Sequence, residues 1–260
     1  MASRRSTIAF IAAGAGIVIG FQNLPRLREL LRAQSSDLSD FEPLDSPAGF
    51  RRMAGGASST GAFDPLVGLD DGRDRGDAAL DEQVRSNLCR ALYGEAVTNA
   101  GTVPIASFSD YYCPYCRVQT RRLAQLEEEL GGRVDIAWHE LPLLGETSEL
   151  AARAALAAKR QGAYAAFQDS LLTSAFRASP EYLASLSERI GVDADQLMRD
   201  MDSEDVRNEV ATSLSLSRIF GFIGTPAMVV GRTVIQGEVS DATLRRLVDI
   251  EREEGWTAIC

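Results

Sequence analysis

The spacing of apolar residues predicts a strand, a helix and a second strand in the middle of the chain. Residues 103–108 form a short apolar run that is typical of a buried strand. Leucines of residues 117–130 share one stripe of a helix, and residues 134–138 form another apolar run. This order predicts a β–α–β unit with parallel strands and a right-handed connection.

Helical and strand patterns continue on both sides of this unit. A helix is predicted over residues 80–93, and after the second strand come helices over 150–160, 164–172, 180–190, 194–201 and 204–220. Two short strands, 227–230 and 233–236, are predicted to form a hairpin, and a last helix over 242–254 is capped by Ser240. The fold class is therefore α/β, with a helical insertion at about 146–220.

The N-terminus is predicted to be a targeting segment. Arg4 and Arg5 precede residues 8–21, which are apolar and carry no charge. With its polar edges this run can just cross a bilayer. A cleaved signal peptide is the competing interpretation. Because no small-x-small cleavage site follows the run, the sequence favours an uncleaved signal anchor and a juxtamembrane helix over residues 1–32.

Composition changes sharply after the anchor. Residues 33–79 are rich in Ser, Gly, Asp and Pro, and residues 55–61 have the composition of a flexible linker. Such a segment buries too little apolar surface to offset the entropy of ordering. We therefore expect a linker over 33–79, either a tether that gives reach or a spacer without a role, and a folded domain over 80–260.

The charge of the chain excludes one class of partner. The 260 residues carry a formal net charge of −10 at pH 7. A chain this acidic repels the phosphates of nucleic acids, so we expect no nucleic-acid partner.

The most specific chemical signal is a pair of cysteines at the turn between the first strand and its helix. Cys113 and Cys116 are separated by Pro114 and Tyr115, and Pro114 suits the first helical position. Free N–H groups at the helix tip favour a thiolate at Cys113, whereas Cys116 lies on the buried stripe. The sequence thus predicts an attacking sulfur offered to solvent and a resolving sulfur behind it.

A metal site is the alternative explanation of this pair. A Cys₄ zinc site usually has a second CxxC, but Cys89 and Cys260 are single and far apart, and His139 is the one histidine. A lone histidine at a strand end is more often structural than catalytic. We therefore expect redox chemistry, with no metal and no cofactor.

Three segments together resemble the DsbA-like thiol oxidoreductases of the thioredoxin superfamily. They are residues 109–116 with the cysteine pair, residues 134–145 with the second strand and its exit, and residues 221–231 around Pro226. The resemblance covers about 102–254 and implies a thioredoxin fold with an all-helical insertion. It also implies that the Thr225–Pro226 bond is cis, that Pro226 faces the cysteines, and that the flanking backbone binds an extended substrate segment by strand addition.

The resemblance assigns modulating roles to Pro114, Tyr115 and Asp110. The best-known oxidase of the family has a histidine between its cysteines, which stabilises a thiolate; Tyr115 offers a hydrogen bond but no charge. Asp110 is interpreted as a turn residue that caps the helix rather than as a proton relay. Ser107 stands where related proteins often place a buried acid.

The predicted anchor and the resemblance together imply a membrane-tethered thiol–disulfide oxidoreductase that acts as an oxidase at the periplasmic face of the bacterial inner membrane, or a soluble periplasmic one if the signal is cleaved. Exported proteins with cysteines would be its substrates, and a DsbB-like membrane protein would accept the electrons. The motif does not fix the direction of electron flow, so an isomerase or reductase is an alternative. A peptide-binding chaperone or metal-handling module without turnover is another.

The two remaining cysteines are expected to form a structural disulfide. An unpaired thiol is a liability in an oxidising compartment, and Cys89 and Cys260 are the cysteines left over. Two free thiols, or pairing between chains, are the alternatives.

Overall fold

A mixed sheet organises the computed structural model, which describes residues 38, 41–60, 75–94 and 101–260. Its six strands lie in the order β1-β2-β8-β7-β4-β5, and a separate two-stranded ladder joins β3 to β6. The strand bounds are β1 Glu42–Pro43, β2 Arg51–Ala54, β3 Ser59–Thr60, β4 Val103–Ser109, β5 Val134–Glu140, β6 Gly224–Thr225, β7 Ala227–Val230 and β8 Thr233–Gln236. Strands β4 and β5 are parallel, and β7 runs antiparallel to β4 and to β8.

Nine α-helices cover the sheet or form the insertion in the described part of the chain. They are α1 Arg75–Ser86, α2 Leu88–Tyr93, α3 Pro114–Leu130, α4 Glu146–Arg160, α5 Tyr164–Thr173, α6 Pro180–Arg189, α7 Ala194–Asp200, α8 Glu204–Phe220 and α9 Asp241–Glu254. The first predicted helix starts earlier than expected, and Asn87 interrupts it between α1 and α2.

The sheet buries side chains on both faces, which explains why β4 reads as a continuous apolar run. On one face Ile105 packs with Leu123 of α3 and Leu247 of α9. On the other, Phe108 packs with Leu92 of α2 among residues that also include α8 side chains. This arrangement holds the turn after β4, where the cysteine pair lies, between two packed layers.

The insertion between β5 and β6 consists of α4 to α8 and has its own core. Small alanine side chains of α4 pack against Phe167, Leu183 and Leu197 from the following helices. Tyr111, directly before the cysteine turn, belongs to the same cluster. The insertion therefore packs directly against the approach to the cysteines.

The linker prediction is wrong for residues 41–60, which form three strands. Strand β2 pairs in parallel with β8, and β3 pairs with β6. Gly55 serves close packing here: a Cβ added to it would lie 1.9 Å from the Gln236 carbonyl oxygen. The glycines that suggested flexibility instead allow two backbones to approach each other.

Ion pairs hold β2 in place. Arg51 donates to Glu251 and Glu254 of α9, at 2.8 and 2.7 Å. Glu251 is fully buried and also accepts from the hydroxyl of Thr233 and the backbone of Arg232. The ion pairs of Arg51 thus hold strand β2 against α9, and the buried carboxylate of Glu251 requires a positively charged partner.

The predicted membrane anchor, residues 8–21, lies outside the described residues. In the part of the chain that the structure does describe, no helix has both the length and the apolar character needed to span a bilayer.

Candidate redox site

Cys113 lies at the N-terminal end of α3, at the end of the turn that follows β4. Cys113 is the N-cap residue of α3, and Pro114 occupies the first turn without the loss of a needed hydrogen bond. The Cys113 sulfur accepts a hydrogen bond from the backbone N–H of Cys116 at 3.2 Å. A helix N-terminus that donates directly to sulfur favours the thiolate.

The two cysteines have opposite electrostatics. The Cys116 side chain, by donating to Cys113, is the largest cause that lowers the pKa of Cys113 to about 6; the hydroxyls of Ser59 and Thr225 add to it, and burial opposes it. Burial raises the pKa of Cys116 well above its usual range. The pair thus consists of one thiolate and one thiol at neutral pH.

One part of the sequence prediction is wrong: Cys113 is not offered to solvent. Both Cys113 and Cys116 are free thiols with no exposed surface. Tyr115, between them, is about one-third exposed, at 36%. The sulfur is covered because side chains and backbone from other segments of the chain lie over the helix tip.

The cis-proline segment is one of these covers. The Thr225–Pro226 peptide bond is cis, and the Cys113 sulfur lies 3.2 Å from the Thr225 carbonyl oxygen, to which it donates when it is protonated. The Thr225 hydroxyl is buried without an ordinary hydrogen-bond partner, and its presence favours the ionised form of both cysteines. The structure thus brings Thr225 to the cysteine pair.

Strand β3 is the second segment beside Cys113, and no sequence pattern predicts it. Ser59 lies opposite Thr225 in the ladder with β6, and its side chain helps to lower the pKa of Cys113. A two-residue strand of small polar residues after a glycine pair has no periodicity to detect.

Asp110 has a different place from the one expected. Cys113 caps α3, whereas the Asp110 carboxylate accepts from the Tyr112 and Leu144 backbones and from the Ser148 hydroxyl. Burial raises its pKa in spite of these bonds. Asp110 therefore ties the cysteine turn to the start of α4.

A second buried acid close to this turn was not foreseen. Glu140, at the end of β5, accepts hydrogen bonds from Tyr111 at 2.6 Å and Tyr164 at 2.7 Å. Burial raises the pKa of Glu140 to about 8. Ser107, at the position where related proteins often place a buried acid, is buried in β4. A glutamate that ends a strand looks like a surface residue in the sequence, so nothing there marked it.

His139 has the surroundings of a structural residue. Its ring stacks on Phe108 with centroids 4.6 Å apart, and Nε2 lies 2.9 Å from the Leu92 carbonyl oxygen. Burial lowers its pKa to about 4, so the ring is neutral. Across the described ranges no group of three or more metal-binding side chains is found.

The other two cysteines are joined. A disulfide links Cys89 in α2 to Cys260, across a sequence separation of 171. It lies half-buried, away from the cysteine turn, beside Ile259 and Leu88.

Comparison with known proteins assigns the family. The model of the DSBA-like thioredoxin domain matches residues 104–249, which include the cysteine turn, the helical insertion and the cis-proline segment. The chain belongs to this family. The DsbA-like resemblance and the thioredoxin-like α/β fold are therefore confirmed.

Solved and curated relatives agree with this DsbA-like assignment. A thioredoxin-like oxidoreductase from Silicibacter pomeroyi is 34% identical, with a TM-score of 0.58 over 63% of this chain and 97% of that one. The probable disulfide bond formation protein D of Bacillus cereus is 24% identical over 57% of this chain and 74% of its own length.

Another curated relative matches this chain over a small part of its own length. Na(+)/H(+) antiporter NhaA 3 of Salinispora tropica is 27% identical over 49% of this chain. That match spans 20% of the length of the antiporter.

Proposed function

We propose that the chain exchanges disulfides with extracytoplasmic proteins through the Cys113–Cys116 pair, and that it acts as an oxidase. The observation that carries the proposal is the asymmetry of the pair: the pKa of Cys113 is lowered to about 6 and that of Cys116 is raised, beside a cis-proline segment. Family membership supports thiol–disulfide chemistry at this pair.

The oxidised pair would react in two balanced steps. A substrate thiolate attacks the Cys113 sulfur; the Cys113–Cys116 bond breaks, and Cys116 leaves as a thiolate that takes up a proton. A second substrate thiolate then attacks the substrate sulfur of the mixed disulfide and displaces Cys113 as a thiolate. The substrate gains a disulfide, and its two electrons reside on the reduced pair.

The low pKa of Cys113 supports the oxidase direction. A leaving thiolate of low pKa departs readily, and a reduced form that is stabilised makes the disulfide a stronger oxidant. Tyr115 lacks the positive charge of a histidine at that place, so the stabilisation comes from the helix tip, the Cys116 thiol and two hydroxyls.

Substrate would bind by strand addition along Thr225 and Pro226. Main-chain hydrogen bonds to such an edge tolerate many sequences, which suits an enzyme that acts on diverse proteins. Three residues would modulate the site. Pro114 would fix the start of α3, Tyr115 would contact substrate at the surface, and Asp110 would hold the geometry of the cysteine turn. The N-terminal segment would carry the domain to the periplasmic face of the inner membrane, where a DsbB-like protein would accept the electrons.

The reduction potential of the pair tests the direction. Equilibration of the full chain with glutathione, with Cys113 and Cys116 read by mass spectrometry, should give a value more positive than about −180 mV. A value near about −270 mV would instead indicate a reductase. Cys113→Ser should abolish oxidation of a reduced two-cysteine peptide, and Cys116→Ser should accumulate the mixed disulfide. Stoichiometric zinc or copper with no exchange activity would overturn the proposal.

A further inference from the structure

The reactive sulfur of the proposed exchange is closed off by the chain itself. Cys113 has no exposed surface, yet a substrate sulfur must approach it directly. Its polar neighbours are Cys116, Thr225 and Ser59. Ser59 alone of these comes from the segment before the thioredoxin-like core. Strand β3 therefore lies beside the sulfur, paired with the segment that carries Thr225.

Strand β3 occupies the edge that a substrate would need. Ser59 pairs with Thr225 and Thr60 with Gly224, in antiparallel register. Main-chain pairing at this edge is the mode of substrate binding in the proposed function. A strand already paired there and a substrate segment exclude each other, since one edge accepts one neighbour.

Close backbone packing and hydrogen bonds hold β3 in its position beside β6. A Cβ added to Gly224 would lie 2.5 Å from the Ser59 carbonyl oxygen, so the two backbones meet at a position that needs glycine. Upstream, the Gly56 N–H donates to the Glu238 carbonyl at 2.8 Å, and the Glu238 N–H donates to Ala57 at 3.0 Å. These bonds lead the chain from β2 directly to the edge.

Ser59 has the shape of a cysteine with oxygen in place of sulfur. Its backbone pairs with Thr225, whose carbonyl oxygen lies 3.2 Å from the Cys113 sulfur, and its side chain lowers the pKa of Cys113. This is the place where a substrate cysteine would have to arrive. We propose that β3 is an internal stand-in for a substrate, with Ser59 in the subsite that receives the substrate cysteine, so that substrate enters when β3 leaves the Thr225 edge. This inference rests on the proposed function and adds a self-blocked state to it.

Cross-linking in the full chain tests the position of Ser59. In the Cys116→Ser background, Ser59→Cys is treated with oxidised glutathione. The Cys113 thiolate attacks oxidised glutathione, forms a mixed disulfide with one glutathione and releases the other as a thiolate. The introduced thiolate at position 59 then attacks the Cys113 sulfur and displaces the bound glutathione. Thr60→Cys is the matched control, because neighbouring strand residues point to opposite faces.

The expected result is a 59–113 disulfide in peptide maps, at least about tenfold more abundant than a 60–113 disulfide, because a disulfide needs close and correctly directed Cβ atoms. Equal amounts of the two would overturn the inference. The measurement needs no catalytic turnover.

Release of β3 tests the blocking role. Gly56→Pro removes the N–H that donates to Glu238, and its side chain crowds the Glu238 carbonyl oxygen, from which an added Cβ would lie 2.8 Å. It replaces none of the residues around Cys113. Ala57→Ser keeps every backbone bond and is the control. Loss of one backbone hydrogen bond should raise the rate at which iodoacetamide alkylates Cys113 in the reduced chain by about fivefold. Unchanged alkylation in a folded Gly56→Pro variant would overturn the block.

The wild-type chain separates the two hypotheses. If it oxidises a reduced two-cysteine peptide but Ser59→Cys gives no specific cross-link, the inference fails alone. If the cross-link forms but the wild-type chain and the Gly56→Pro variant exchange no disulfide, the proposed function fails and the substrate role of the β3 edge fails with it.

Discussion

The hydroxyl of Tyr111 donates a 2.6 Å hydrogen bond to Glu140, which joins the residue two before Cys113 to the end of β5. The other carboxyl oxygen of Glu140 is buried without a partner. Burial raises the pKa of Glu140 to about 8, so the carboxyl is protonated at neutral pH. A protonated acid at this place has the shape of a glutamine.

We expect Glu140→Gln to change how stability depends on pH. In the wild-type chain the raised pKa contributes stability that is present below the ordinary glutamate pKa of 4.5 and is lost as pH rises to about 8. The loss is on the order of 1 kcal/mol per pH unit, and the variant should lack it. Urea unfolding at pH 5 and pH 8 checks this. An equal pH slope in both proteins would contradict the assignment.

The reduced chain should be alkylated at Cys113 with a midpoint near pH 6, because its lowered pKa keeps a thiolate there. Thr225→Val should raise that midpoint, since it removes a hydroxyl that favours the thiolate. The same depressed pKa stabilises the reduced form at alkaline pH, and this contribution is lost as pH falls through about 6. The rate of iodoacetamide labelling as a function of pH gives the midpoint for the wild-type chain and for the Thr225→Val variant. A wild-type midpoint of about 8.5 would refute the prediction.

Removal of the Cys89–Cys260 disulfide should destabilise the domain without changing exchange at Cys113. The bond closes a loop with a separation of 171 residues, and chain entropy assigns such a loop roughly 3–5 kcal/mol. The double variant Cys89→Ala/Cys260→Ala is compared with the wild-type chain in urea, and oxidation of a two-cysteine peptide is the control. Identical denaturation midpoints would count against a stabilising role.

The ion pair of Arg51 should matter far more than an exposed one. Arg51→Leu removes the nearer charged partner of the buried Glu251 and leaves only Arg232, at 3.7 Å, so it should cost up to about 3 kcal/mol. Arg245 pairs with Glu129 at the surface, so Arg245→Leu should cost less than about 1 kcal/mol. The loss of stability in the Arg51→Leu and Arg245→Leu variants is compared by thermal unfolding. A similar loss in both would show that β2 is not held by this charge.

Sequence reasoning succeeded where the local signal was strong. The buried strand β4, the leucine stripe of α3 and the cysteines between them follow one periodic pattern, and glycines mark the stop before β5. The cis-proline segment was placed at the site by resemblance, since a two-residue strand and a turn carry little pattern of their own.

The same reasoning failed where tertiary contacts decide the structure. Strands β1 to β3 have two to four residues each, too few to show alternation, and Gly55 is required by the approach of Gln236. The lowered pKa of Cys113 depends in part on Ser59, a residue far away in the chain. Such facts arise from which segments meet in space, and a single sequence does not encode them locally.

The Cys89–Cys260 bond makes most of the domain a covalent ring. The cysteine turn, the helical insertion and the cis-proline segment all lie inside it, so a protease that cuts the ring once opens it but releases no fragment. Strands β1 to β3 lie outside the ring and are held to it by hydrogen bonds and ion pairs. Strand β3 can therefore separate from the Thr225 edge while the disulfide keeps the ring that contains Cys113 closed.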